Sequence, residues 1–103
     1  MKTQIPFSND LSAAQLERLA YLAEEMGEAI QAIGKIIRHG YESRNPLEAE
    51  GVTNREFLIE ELADILYGIA LCSEKKDISE DALVSACESR ANSRPHLWFH
   101  HQD

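Results

Sequence analysis

From Ser12 to His39 the chain carries one unbroken helical pattern, and the length of that pattern restricts the fold more than any other feature. Leu16, Leu19, Met26, Ile30, Ile33 and Ile37 recur at helical spacing. Ser12 and Gln15 fit a capping box, and Gly40 fits the residue that stops a helix. At about 1.5 Å per residue such a helix is roughly 40 Å long. A compact domain of about 100 residues has a radius of gyration of only about 13 Å. The helix therefore reaches beyond anything one small core can cover. The expected cover for its overhanging apolar stripe is a partner subunit.

The rest of the chain reads as helix too. Residues 41–53 are a connector. Asn45-Pro46 resembles an N-cap followed by proline at the first helical position, and Gly51 ends the piece, so one short helical turn is expected there. Thr53 and Glu56 form a second capping box and open a helix that runs to about Ser73. Glu74-Lys75-Lys76-Asp77 is a charged turn, and a third helix follows from about Ser79 to Asn92. Pro95 stops it, leaving the aromatic, histidine-rich tail His96–Asp103. No strand alternation is visible. The expected fold is all-α: an antiparallel helical bundle of one long helix, a short turn and two further helices, completed by dimerisation. The expected organisation is a single domain over 1–103, with its core at about 12–94 and a tail at 95–103.

Composition narrows the partners. The 103 residues suffice for one small domain, and the hydrophobic fraction of 44% is ordinary for a folded protein. A formal charge of −8 argues against non-specific nucleic-acid binding and against an anionic membrane surface. It still permits phosphate ligands where cations mediate the contact. No apolar run is long enough for a membrane span, and Met1–Asn9 lacks the apolar core of a signal peptide. Cys72 and Cys87 make no disulfide framework, and each reads as a small buried hydrophobe in a helix. A reducing, cytoplasmic setting is expected.

Two acidic pairs carry the chemistry. Glu24-Glu25-Met26-Gly27-Glu28 lies in the first helix, and Glu60-Glu61-Leu62-Ala63-Asp64 in the second. Glu25 with Glu28, and Glu61 with Asp64, are spaced i, i+3, which puts each pair on one helix face with Cβ atoms about 5–6 Å apart. Packed antiparallel, the helices would bring four carboxylates to one point. Their mutual repulsion calls for a proton or a cation. An oxygen-only set suits magnesium or manganese better than zinc or copper. It also lacks the Glu-x-x-His pairs of di-iron bundles.

A plain alternative exists for the first pair. The face of Glu25 and Glu28 also holds Glu17, Gln31, Lys35 and Arg38, roughly opposite the apolar stripe, which describes a wet surface. The second helix decides between the readings. Between Phe57 and Cys72 its only charged residues are Glu60, Glu61 and Asp64, and the rest is apolar or glycine all round. Such a helix is expected to be buried, and an unpaired buried carboxylate costs several kcal/mol. A shared metal ion is the economical compensation.

These residues resemble the MazG-like all-alpha NTP pyrophosphohydrolase superfamily, in particular its small single-domain members. The resemblance rests on Glu24-Glu25-x-x-Glu28 followed by Glu61-x-x-Asp64. It extends through Glu28-Ala-Ile-Gln-Ala-Ile-Gly-Lys35 and Asn54-Arg-Glu-Phe-Leu-Ile-Glu-Glu-Leu-Ala-Asp64, and covers about residues 15–94. It implies hydrolysis of a nucleoside triphosphate to the monophosphate and pyrophosphate, in house-cleaning or control of nucleotide pools. It also implies a homodimer or a tetramer of paired dimers. Carried over by position, Glu25, Glu28, Glu61 and Asp64 would hold magnesium, and Glu24 would orient or deprotonate the attacking water. Lys35, two turns beyond Glu28, would either reach a phosphate or balance the helix C-terminus. Late in the third helix Asn92 fits a family asparagine, while Glu88 stands where lysine is usual, so Arg90 or Arg94 would substitute.

The remaining features carry less. His96 and His100 are spaced i, i+4, but after Pro95 an irregular tail is expected rather than a zinc-binding helix. Trp98 and Phe99 are expected to pack on the body or on a partner subunit, and Tyr21, Tyr41 and Tyr67 to serve the core or an interface. The rival reading of the whole chain is a helical dimerisation or binding module that keeps the scaffold without turnover. A pure scaffold, however, has no reason to bury Glu61 and Asp64.

Overall fold

The computed structural model describes residues 8–48 and 50–100. It is all-helical: α1 spans Ala13–His39, α2 Asn54–Glu74 and α3 Glu80–Ser93, and a 3-10 turn occupies Pro95–Leu97. The chain divides into two compact units, residues 1–71 and 72–103. Among the described residues no helix is long and apolar enough to cross a membrane.

Local chemistry sets the helix ends. The Ser12 hydroxyl accepts from the Gln15 amide at 3.0 Å, and the Ser12 amide donates to Gln15 Oε1 at 2.9 Å. Gly40 closes α1 with φ at +88°, a value that favours glycine, and its amide donates to the Ile36 carbonyl. Thr53 and Glu56 repeat the reciprocal arrangement at the head of α2, with bonds of 3.0 and 3.1 Å. Lys76, at φ +64°, ends α2 with the Asp77 amide donating back to the Cys72 carbonyl.

In the first unit α1 and α2 pack antiparallel. Tyr21 meets Tyr67 edge to face at 6.0 Å, while Lys35 lies over the Phe57 ring at 5.2 Å, so rising numbers on α1 face falling numbers on α2. The approach is close at Gly68. A Cβ there would fall 2.6 Å from Leu22 Cδ2 and 3.1 Å from Tyr21 Cδ2. The face of α1 turned inward holds Leu22, Glu25, Glu28, Ala29, Ala32 and Ile36, all buried or half-buried.

The apolar stripe of α1 is left exposed, as the length of the helix implied: Ile30 is 69% and Ile37 79% exposed. Other expectations need correction. α2 is not buried all round, since Leu66 is 67% exposed and Ile59, Leu62 and Tyr67 are exposed as well. One partner helix covers one side of a helix, and α1 takes only the side bearing Glu61, Asp64 and Gly68. Residues 45–51 form no helical turn among those described. Instead the Asn45 side chain captures the Leu47 amide, and Glu48 and Gly51 amides close two successive tight turns onto Asn45 and Glu48. Cys72 is buried as expected but Cys87 is exposed. In the second unit Trp98 and Phe99 are exposed, and, as expected after Pro95, no helix among the described residues carries both His96 and His100. His101 lies outside the described residues.

The connector is held to the head of α2. The Arg55 amide donates to the Tyr41 carbonyl and the Asn54 amide to Ser43, both at 2.9 Å. An isolated antiparallel bridge joins Arg44 to Thr53. The Arg55 guanidinium pairs with Glu42 at 2.8 Å and stacks on the Tyr41 ring at 4.5 Å.

Candidate metal centre

Antiparallel packing brings Glu25, Glu28 and Glu61 together: each offers a carboxylate oxygen, and these oxygens lie within 4.8 Å of one another. Glu25 and Glu28 are half-buried on α1, and Glu61 on α2 is only 6% exposed. One oxygen of Glu25 and one of Glu61 are buried without a hydrogen-bond partner. Buried polar atoms are nearly always partnered, so two orphaned oxygens on neighbouring carboxylates call for a proton or a cation as their partner.

The electrostatics agree. Burial pushes the Glu61 carboxyl up to about 7, reinforced by Glu28 and then Glu25. Burial also raises Glu25, with Glu28 the next cause and Asp64 a further one. The same field extends to Tyr21, one turn before Glu25, whose phenol is raised by burial and then by Asp64 and Glu25. Asp64, half-buried one turn beyond Glu61, acts on both Glu25 and Tyr21 but is not one of the three acids whose oxygens lie within 4.8 Å of one another, so the four expected carboxylates do not all meet at one point. The causes that raise these groups are burial and neighbouring acidic groups. An oxygen-only cluster is the donor chemistry of a hard divalent ion.

Glu24 is exposed next to Glu25. Lys35 lines a different feature, a cleft of about 490 Å³ formed with Arg38, His39, Arg44, Asn45 and Asn54. Asn92 and Arg94 lie exposed in the second unit, at the end of α3 and at its C-cap. Sequence reasoning overlooked the grouping of Arg38 and Arg44 with Lys35. Its only linear sign is the i, i+3 spacing of Lys35 and Arg38, because Arg44 arrives through the folding of the connector.

The first unit is thus an all-α hairpin that brings carboxylates from two helices together. A family model for the MazG nucleotide pyrophosphohydrolase domain matches residues 14–98, and the chain belongs to that family. Comparison with curated proteins and with solved structures yields no significant match.

Proposed function

We propose that this chain is a magnesium-dependent nucleoside triphosphate pyrophosphohydrolase. It cleaves a phosphorus-containing anhydride to release the nucleoside monophosphate and pyrophosphate, in house-cleaning or nucleotide-pool control. The observation that carries this reading is the pair of orphaned, buried oxygens of Glu25 and Glu61 beside Glu28. Membership of the MazG family supplies the reaction class.

Glu25, Glu28, Glu61 and Asp64 are assigned to hold the cation, with magnesium preferred and manganese acceptable to the same oxygens. When bound there, the ion supplies neutralisation of charge on the phosphate oxygens. Glu24, exposed beside Glu25, is assigned to orient the attacking water and accept its proton. Lys35 is assigned to a phosphate, and Asn92 and Arg94 to further substrate contacts. The working form is a homodimer or a dimer of dimers, supported by the uncovered apolar stripe of α1. The reading also includes one folded domain, with 95–103 as a tail, in a cytoplasmic setting.

The test is a panel of nucleoside triphosphates, common and damaged, assayed with magnesium for monophosphate and pyrophosphate. At least one is expected to be turned over, and Glu61→Gln is expected to bring turnover to background while the helical content stays. Activity that survives Glu61→Gln, or no pyrophosphate from any member of the panel, overturns the assignment.

A further inference from the structure

The cleft at the C-terminal end of α1 has the opposite character to the acidic cluster. Lys35, Arg38, His39 and Arg44 line it with Asn45 and Asn54, and no carboxylate lines it. The chain has a net charge of −8 and only 10 lysines and arginines, of which three meet here. The dipole of α1 accounts for cations in its last turn, such as Arg38 and His39. It does not account for Arg44, which comes from the connector, or for Asn54, which opens α2.

The walls of the cleft are held in place. Arg44 Nε donates to the Gly51 carbonyl at 3.0 Å, which fixes the guanidinium. Lys35 is steadied over the Phe57 ring. The Gly40 carbonyl, which would repel an anion, accepts from Asn54 Nδ2 at 3.1 Å. Glu56, an acid on which Arg44 acts, already accepts from the Thr53 amide through Oε1. The Asn54 and Arg55 amides at the head of α2 are spent on Ser43 and Tyr41. The cationic side chains, rather than a helix terminus, are therefore the groups available to a ligand.

We propose that this cleft is a phosphate-binding site that needs no metal ion, with Arg38 and Arg44 gripping phosphate oxygens and Lys35 adding a point charge. The identity of the ligand rests on the function proposed above. Lys35 lies about 10 Å along α1 from Glu28. The phosphate is thus the terminal phosphate of a nucleotide whose other phosphates are held at the acidic cluster, or free phosphate or pyrophosphate.

The deciding experiment titrates inorganic pyrophosphate into the full chain in the presence of a chelator, read by calorimetry and by amide chemical shifts. Saturable binding is expected, with shifts in the 35–54 segment. Affinity should fall about ten-fold or more in Arg38→Ala/Arg44→Ala. It should fall less in Arg38→Lys, and hold in Glu61→Gln. Absence of binding to the wild type in chelator overturns the proposal, as does binding lost in Glu61→Gln but kept in the double variant. With magnesium present, a KM for the best triphosphate raised about ten-fold in the double variant assigns the site to the substrate's own phosphates. An unchanged KM beside lost pyrophosphate binding assigns it to free phosphate. A protein that turns over no nucleotide defeats the proposed function, yet the chelator titration still decides the cleft.

Discussion

At Glu61, burial and two neighbouring carboxylates act in one direction, each favouring the protonated acid. The group's ordinary value of 4.5 is raised to about 7 in the folded chain. Between those limits the metal-free folded state holds a proton that the unfolded state has released. Stability from this group is therefore present below about pH 4.5 and lost as pH rises to about 7. Thermal melting in chelator is expected to show the wild type losing stability relative to Glu61→Gln over that window. Above it, magnesium should raise the melting temperature of the wild type more than that of Glu61→Gln. An identical pH profile for the two proteins would show that Glu61 is not the group responsible. The burial of Glu61 was legible in the sequence, because a largely apolar helix gives a carboxylate few other places to go. Glu25 and Glu28 were ambiguous, since their own helix shows them opposite its apolar stripe. Only the antiparallel partner reveals that this polar side faces inward. Cys87 was misread because small apolar residues occur on exposed helix faces as readily as on buried ones.

The α1–α2 pair depends on close approach at one point and not at another. Gly68 faces Leu22 and Tyr21 at distances a Cβ could not occupy without moving both, whereas Gly27 has nothing within 4 Å of its Cβ position. Both glycines lie inside helices, where alanine gains about 1 kcal/mol from propensity alone. Gly27→Ala is expected to stabilise by about that amount. Gly68→Ala sets the same gain against about 1–3 kcal/mol of overpacking, and a net loss of up to about 2 kcal/mol is expected. Urea unfolding of the two variants side by side checks the contrast, and equal effects at both sites would refute the close packing. The helices themselves were readable almost to the residue, because capping boxes at Ser12 and Thr53 and the stop at Gly40 are chemical signals local in sequence. The connector was less readable. Asn45 and Pro46 suit a helix start and a tight turn equally, and the choice falls to bonds with Gly51 and Thr53 that no local pattern announces.

For the whole molecule, the uncovered stripe from Leu16 to Ile37 sets the question of assembly. Periodicity marks a seam but not which neighbour closes it, so the sequence could not tell the face that meets α2 from the one α2 leaves bare. On the dimeric reading, Ile30→Asp with Ile33→Asp should convert the protein from the mass of two or four chains to that of one, as measured by sedimentation velocity. Unchanged mass would place the interface elsewhere. The bonding of the connector onto α2 bears on the order in which these parts form. Its cross-links, from Gly40, Tyr41, Ser43 and Arg44 to residues 53–55, bridge at most 14 residues. Closing so short a loop takes well under a millisecond and involves no second chain. Refolding should then show two kinetic phases. In the first, the amides of Asn54 and Arg55 gain exchange protection at a rate independent of protein concentration. In the second, protection along the Ile30–Ile37 stripe arrives at a rate that rises with concentration.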